Sequence, residues 1–434
     1  MTCEVAVANK LAIALAADSA VTFSAAGNQT TYASGANKIF QLALEEPVAV
    51  MIYNNAVIAG VPWELILKSY RQDLGAGGFE RLANYGEDLV NFLNSCSGEL
   101  LPEKAKVDST ISAYIAATRY VIRQILGSEP GLLKEEAEPD ELGRLWRSGI
   151  AKFLHKADSA DFCFGLNEQD YASCVGHGDH LKTFIPELFA GDVLKRLLPC
   201  VDAVELAKLG ILGAFKFGHE AMETEYTGVV IAGFGQKDYL PGYKALKFYG
   251  FLAGKIFYSV VSELAVDHNG KSSIIEAFAQ RAMVETFTQG ASPEVWSAVR
   301  DAFERTAETV ATEAVGKAGG NLSDGSIREI VQGHRNDFMK NWSYAVFDGH
   351  LKPLYRVVTG LSVEELAELA ETLVLLESLK EKVTHRTQSV GGPIDVAVIT
   401  KTEGLVWIKR KLYFEPHLNH RYFNRLGRNQ GGTS

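Results

Sequence analysis

Along this chain the apolar positions fall into blocks whose period changes several times. Residues 3–8 (CEVAVA) and 11–17 (LAIALAA) are short, nearly continuous apolar runs separated by Asn9-Lys10, a turn signal, so the pair reads as a β-hairpin. Apolarity without strict alternation predicts strands covered on both faces. A polar stretch bearing Ser and Gly, from Ser24 to Asn37, precedes a second pair, Lys38–Leu44 and Pro47–Tyr53, joined across Glu45-Glu46. Pro62 stands where the first turn of a helix tolerates proline, and Trp63, Ile66, Leu67 and Tyr70 give that helix an apolar face.

From about 76 to 225 the spacing is helical, with Leu89, Phe92 and Leu93, then Ile111, Ile115, Tyr120 and Val121, recurring on common faces. The acidic run Lys134 to Glu141, with Pro130 and Pro139, reads as a solvated connector. A second β block runs from Tyr226 to about Ser262, with TGVVIAGFG and YKALKFYGF separated by Lys237-Asp238 and Pro241-Gly242. Helical patterns return over 273–336 and 362–384, the latter opened by a capping box, Ser362-Val-Glu-Glu365. IDVAVITK (394–401) and LVWIKRK (405–411), joined by Glu403-Gly404, are the last strands, and no fixed-period repeat interrupts the pattern. Hairpins with helices collected between them predict an α+β layered fold, not a doubly wound sheet. The expected segments are an N-terminal core part (1–75), a helical insertion (76–225), central strands (226–290), a helical segment (291–385), and C-terminal strands with a tail (386–434).

The 434 residues are 47% hydrophobic and 22% charged, which excludes a disordered or collagen-like chain. With 43 basic against 53 acidic side chains the net charge is −10, so no nucleic-acid partner is expected, and the basic cluster from Lys409-Arg410-Lys411 to Arg428 reads as a solvated tail. Cys3, Cys96, Cys163, Cys174 and Cys200 are too sparse for a disulfide framework. No apolar stretch approaches the ~18 residues of a membrane span, and MTCEVAVANK lacks the parts of a secretory signal. A cytoplasmic protein with no membrane partner is the expectation.

Metal and cofactor signals are weak. Cys163, Cys174, His177 and His180 carry ligand atoms, but C-x10-C-x2-H-x2-H is not a standard zinc spacing, and His177-Gly-Asp-His180 reads as a turn. Gly233-Phe-Gly235 and Gly75-Ala-Gly-Gly78 lack the strand–turn–helix context of nucleotide fingerprints and read as turns. Phe248, Tyr249, Phe251, Phe257 and Tyr258 read as core, not as a binding platform.

The chemistry concentrates near the start. Loss of Met1 would leave Thr2 with a hydroxyl nucleophile and a free α-amine whose ordinary pKa of ~7.7–8.0 makes it a proton acceptor near neutrality. Asp18 closes the apolar run LAIALAA, where a carboxylate must be paired or solvated. Lys38 opens the next apolar strand, and a Lys–Asp pair beside the amine would stay charged and stabilise a developing alkoxide. Taken singly, Asp18 reads as a turn cap and Lys38 as a surface charge; together, on consecutive strands, they read as a site.

Thr2, then Asp18-Ser19-Ala20-Val21-Thr22 at an offset of sixteen, then Lys38 resemble the start of proteasome β-type subunits and of bacterial proteasome-like proteases, members of the N-terminal-nucleophile hydrolases. The resemblance implies a four-layer αββα sandwich, here with large helical insertions. It implies Thr2 as nucleophile, its amine as general base, Lys38 as the tuning charge and Asp18 as the group that orients Lys38. Where the family has a glycine whose N–H forms the oxyanion hole, this chain has Asn54, after VAVMIY. TGVVIAGFG (227–235) looks like the family's central strand, and Gly391-Gly392-Pro-Ile-Asp-Val-Ala-Val-Ile resembles its Gly-Gly strand. The family's aspartate and serine before that Gly-Gly fall on Thr387 and Val390, so neither matches, and Ser389 or Thr387 is the substitute polar partner. The serine of the family's Gly-Ser-Gly-Ser segment has a loose counterpart in Ser272 or Ser273, and Cys3 is expected to point away from Thr2.

The resemblance further implies a peptide or small-amide substrate, no metal or organic cofactor, and a homo-oligomer with the helices of 61–126 at its contacts. No residue pattern specifies an ATPase partner. Two other readings keep the same fold: a small-molecule amidohydrolase of the superfamily, and an inactive structural subunit.

Overall fold

The computed structural model describes residues 2–24, 30–134, 137–320, 323–384, 391–421 and 423–424. Its early strands are β1 (Cys3–Ala8), β2 (Ala12–Ala17), β3 (Ala20–Ser24), β4 (Thr30–Ser34), β5 (Ile39–Gln41), β6 (Val48–Asn54), and the two-residue pair β7 (Val57–Ile58) and β8 (Val61–Pro62). Helices α1 (Trp63–Leu74), α2 (Leu82–Ser95), α3 (Glu103–Ser128), α4 (Pro139–Asp158) and α5 (Ala203–Ala221) follow, with short helical turns between the last two. Then come β9 (Thr227–Gly233), β10 (Gly242–Leu252), β11 (Lys255–Ala265) and β12 (Ile274–Ala279). Helices α6 (Ala282–Gln289), α7 (Pro293–Lys317), α8 (Asp324–Val346), α9 (Lys352–Gly360) and α10 (Val363–Thr384) precede β13 (Asp395–Thr400) and β14 (Gly404–Lys409). The larger sheets run β12-β1-β2-β13-β14 and β11-β10-β9-β6-β5. This is an α+β fold with antiparallel sheets.

The chain divides into two compact units. The first comprises residues 1–53, 232–243 and 264–434. Its sheet has Cys3 opposite Ala279, Glu4 opposite Ala17, and Ala17 opposite Asp395. Because side chains alternate across a strand, Cys3, Val5, Val7, Ala12, Ala14 and Ala16 share one face, packed on Leu366, Ala367, Ala370, Leu373 and Val374 of α10. Each large apolar side chain buried there stabilises the unit by about 1.5–3 kcal/mol. On the other face Phe278 of β12 meets Tyr53 and Tyr243, with ring centroids 5.6 and 5.5 Å apart. Both faces are covered, which is why the two strands are apolar at every position but Glu4. The Asn9 side chain accepts from Leu11 N–H (2.9 Å) and donates to the Val358 (3.1 Å) and Leu361 (2.8 Å) carbonyls, tying the hairpin turn to the approach to α10. The capping box forms: Ser362 N–H donates to Glu365 Oε2 (2.8 Å) and Glu365 N–H to Ser362 Oγ (3.3 Å).

The second unit comprises residues 54–231 and 244–263. Helices α3 and α5 pack closely because α5 presents glycines. A Cβ on Gly210 would stand 2.0 Å from Thr118 Oγ1, and one on Gly213 3.0 Å from Val121 Cγ2. Phe248, Tyr249, Phe251 and Phe257 are buried here, as their spacing indicated, and Trp63 of α1 lies 5.1 Å from Phe248, centroid to centroid.

Several elements depart from the sequence pattern. Residues 274–279, expected in a helical block, form β12: the outer edge of β1 needs partners for its N–H and C=O groups, and IIEAFA supplies them. The polar stretch after Ser24 lies partly in a hairpin, β3 with β4. Helix α4 begins at Pro139, inside the expected connector, since proline is at home in a first turn. His177 ends a single helical turn and Gly178–Leu181 form another, so the segment read as one turn is helical. The front of the basic tail is paired and not merely solvated. Lys411 Nζ meets the buried Asp395 carboxylate, and Lys409 Nζ lies 2.6 Å from Glu371 Oε1.

Gly233 closes β9 with φ +134°, and an added Cβ would stand 2.0 Å from the Pro47 carbonyl oxygen. Gly233→Ala is therefore expected to lower unfolding free energy by about 2–4 kcal/mol. Urea denaturation of the two proteins checks this; equal midpoints would show that the backbone there relaxes freely.

Candidate active site

Three elements of the first unit place the site. Asp18 sits in the tight passage from β2 to β3, Lys38 immediately precedes β5, and Thr2 immediately precedes β1. All three residues are buried. Asp18 is held from several directions: Oδ1 accepts from Cys3 N–H (3.1 Å) and Lys38 Nζ (2.5 Å), and Oδ2 from Ala20 N–H (3.2 Å) and Gly391 N–H (2.9 Å). One carboxylate thus staples the start of β1, the start of β3 and the approach to β13. Ser19 reinforces it, donating N–H to the Gly391 carbonyl (3.2 Å) and Oγ to the Pro393 carbonyl (2.7 Å).

Sequence reasoning missed a fourth member, Glu4. Its side chain is completely buried, it accepts a hydrogen bond from Thr2 Oγ1 at Oε2 (3.1 Å), and its Oε1 lies 3.0 Å from Lys38 Nζ. That second contact is one of charge; Oε1 makes no aligned hydrogen bond. The signal was present in the sequence, because Glu4 is the one charged residue in CEVAVA and LAIALAA, and a charge inside a covered strand needs a reason. Asp395 was missed for the same cause. It is buried in the same row of the sheet, beyond Ala17, and engages Lys411 through both the side chain and the backbone N–H (2.8 Å).

Burial sets the electrostatics. It pushes the Glu4 carboxyl up to about 7, against the lowering pull of Lys38 and with a further upward push from Asp18. For Lys38, burial disfavours the ammonium, but Glu4 and Asp18 outweigh it and hold the amine above its ordinary value, so it is charged at neutral pH. The Cys3 thiol is raised well above its usual value by burial first and by Glu4, Glu377 and Asp18 next, and it packs against the α10 face. A protonated, enclosed thiol is a poor nucleophile. The hydroxyl of Thr2 therefore stands beside a carboxyl poised near neutrality, which in turn touches a fixed positive charge.

Asn54 belongs to the second unit, where it is exposed at φ +66° and donates its side-chain amide to the Tyr226 (2.8 Å) and Thr224 (3.3 Å) carbonyls. Asparagine tolerates this left-handed conformation better than most residues do, so the chain keeps a glycine-like backbone there. Ser389 and Thr387 fall outside the described residues. Ser272 and Ser273 precede β12, at the end opposite the Cys3–Ala279 pair, and bond instead to Thr359 Oγ1 (2.9 Å) and the Tyr355 carbonyl (2.9 Å). Cys163 and Cys174 are buried in the helical core of the second unit, and among the described residues no three His, Cys, Asp or Glu side chains gather as a metal site.

No protein-family model matches the chain, and no curated protein matches it. Among solved structures it is similar to one titled Anbu (Gly-1) mutant from Hyphomicrobium sp. strain MC1, at 9% identity over 100% of this chain and 98% of that chain, with a TM-score of 0.28. A likeness of that size carries no argument about the site.

The raised carboxyl has a consequence for stability. Below the unfolded-state pKa, near 4.5, Glu4 is protonated folded and unfolded alike and contributes no pH dependence. As pH rises toward about 7 the unfolded chain loses that proton while the folded chain keeps it, so stability falls; above about 7 the full penalty remains. Glu4→Gln is expected to remove this slope and to be more stable than wild type at pH 8 relative to pH 5. Parallel unfolding curves at the two pH values would count against it.

Proposed function

We propose that this chain is a threonine-type N-terminal-nucleophile hydrolase, built as an αββα sandwich with helical elaborations, that cleaves amide bonds through an acyl-enzyme on Thr2 after Met1 is removed. The observation that carries this reading is the buried convergence of Thr2, Asp18 and Lys38 from three separate segments, with the Lys38 ammonium held charged by Asp18 and Glu4. A pair of this kind is expensive to desolvate, about several kcal/mol per ion, and what it provides beside a hydroxyl is a fixed field favouring alkoxide.

In this reading Thr2 Oγ attacks the amide carbonyl, the Asn54 N–H donates to the oxyanion, and water later releases the acyl group. The α-amine of Thr2 is the proton acceptor that the family resemblance supplies. Support for Asn54 is its positive φ at a position where the resembled family has glycine. Ser389 remains the candidate for an outer polar partner. Neither a metal nor an organic cofactor has a part in this scheme, and the substrate is a peptide or a small amide. A homo-oligomer is the accompanying proposal, since an enclosed chamber would keep a terminal threonine from folded neighbours; light scattering over a concentration series tests it.

The direct test is intact-mass spectrometry of the purified protein, before and after a β-lactone probe. Expected are loss of Met1 and a single adduct on Thr2. Thr2→Ala is expected to form no adduct and to lose at least about a thousandfold in amide hydrolysis. Retained Met1, or an unlabelled Thr2 in protein that still hydrolyses amides, would sink the assignment. Lys38→Ala is expected to lose activity to a similar extent and Lys38→Arg to recover little, because a planar guanidinium replaces a compact ammonium between two carboxylates. Steady-state rates of both variants check this, and wild-type turnover in Lys38→Ala would remove the lysine from the mechanism.

A further inference from the structure

We propose that Glu4 is a catalytic residue: its carboxylate, and not the α-amine alone, accepts the Thr2 Oγ proton during attack and returns it to the leaving group. The proposal rests on the threonine-hydrolase reading and deepens it. Three observations carry it. Thr2 Oγ1 already donates to Glu4 Oε2 at 3.1 Å, so the proton has a bonded path. The other oxygen, Oε1, meets the Lys38 ammonium at 3.0 Å, and no backbone N–H among the described residues bonds to the carboxyl. Asp18 contrasts with it, being engaged by three backbone N–H groups and by Lys38. The two acids have different work: Asp18 holds the chain and Lys38, and Glu4 faces the nucleophile.

The step balances without any co-reactant. As Oγ forms its bond to the carbonyl carbon, the O–H proton passes to Glu4 Oε2 and the C=O π pair moves onto oxygen. Collapse of the tetrahedral intermediate breaks the C–N bond, and Glu4 returns the proton to the departing nitrogen. Deacylation repeats the sequence with water in place of Oγ–H, and Thr2 recovers its proton last. A group that titrates near neutrality suits both halves of this cycle. The charged or titratable groups around Glu4 are Lys38 from just before β5, Asp18 from the β2–β3 passage, the neighbouring Cys3 thiol and, once Met1 is removed, the Thr2 α-amine. On the flanking strands its register partners, Ala17 and Phe278, carry no charge, while Glu276 lies two positions along β12 from Phe278.

The experiment measures the rate of Thr2 acylation by a β-lactone across pH 5–9, followed by intact mass, in the full chain. Wild type is expected to show an acid limb with a midpoint at or below about 7, the value to which burial moves Glu4 before the Thr2 amine is freed. Glu4→Gln keeps the size and one acceptor but cannot take a proton. It is expected to acylate at least about a hundredfold more slowly and to lose that limb, with an unchanged circular dichroism spectrum. Glu4→Asp, which withdraws the carboxyl by one methylene, is expected to give an intermediate rate. A folded Glu4→Gln acylating within about threefold of wild type, with the same pH profile, overturns the proposal and leaves the hydrolase reading standing. Wild type that never acquires a Thr2 adduct overturns the hydrolase reading and this proposal with it. If Glu4→Gln does not fold, Glu4→Asp decides: a wild-type rate is an overturning result and a reduced one a supporting result.

Discussion

The first unit depends on one ammonium group. Lys38 Nζ sits between two completely buried carboxylates, 3.0 Å from Glu4 and 2.5 Å from Asp18, with almost no solvent around it. Inside a protein such charges are tolerated only when each is met by another, because removal of one partner leaves an uncompensated ion costing about 3–5 kcal/mol. The surrounding geometry follows from that need. β1 has to enter beside Asp18 so that Cys3 N–H reaches its carboxylate, β5 has to begin just after Lys38, and Gly391 has to bring its N–H to the same acid before β13 starts. Glu4 lies on the face of the sheet that Phe278 shares, while the alternate residues of the same strands, Cys3, Val5 and Val7, pack on α10. Site and core therefore share β1, one on each face of it.

Much of this was legible in the sequence, for reasons specific to the residues. The β1–β2 hairpin showed because its strands are apolar on both faces and Asn9 breaks them; the structure puts that side chain to use on the Val358 and Leu361 carbonyls. Asp18 and Lys38 showed because each interrupts an apolar block at its end, where a charge is conspicuous. Glu4 was hidden by the opposite circumstance. It lies inside a run read as apolar, and period-based reading averages over a single exception. Yet the physical cost of burying a carboxylate is largest there, so the exception carried more information than its surroundings. β12 was lost because IIEAFA is too short for period to separate strand from helix, and the pairing demand of β1 decided the matter. The pairing of Lys411 with Asp395 joins a residue just past the end of β14 to the first residue of β13, and no local pattern encodes it.

In the second unit the legible and illegible parts divide by length. Long helices such as α3 and α5 announce themselves by recurring apolar positions, whereas the four-residue turns around His177 have no room for a period. Gly210 and Gly213 are legible only afterwards, since their necessity comes from how near Thr118 and Val121 approach. Asn54 is an intermediate case: asparagine ranks after glycine for left-handed backbone, and the residue stands there at φ +66°.

The charge count of the cluster points to what Glu4 is for. Lys38 contributes one positive charge and Asp18 one negative, so that pair is balanced without Glu4, and an apolar residue at position 4 would continue the strand at lower cost. The cluster as it stands carries an excess carboxylate, and burial first, with Asp18 adding to it, holds the Glu4 proton up to about 7. A cationic α-amine on Thr2, the group that Met1 removal would create, restores balance: two positive charges against two negative. It would also favour the ionised form of Glu4, since a neighbouring positive charge lowers a carboxyl pKa. Maturation of the terminus and activation of the carboxylate would then be a single electrostatic event. Before it, Glu4 would keep its proton over more of the neutral range; after it, the same carboxylate would be the more readily ionised, with the 3.1 Å hydrogen bond from Thr2 Oγ already in place.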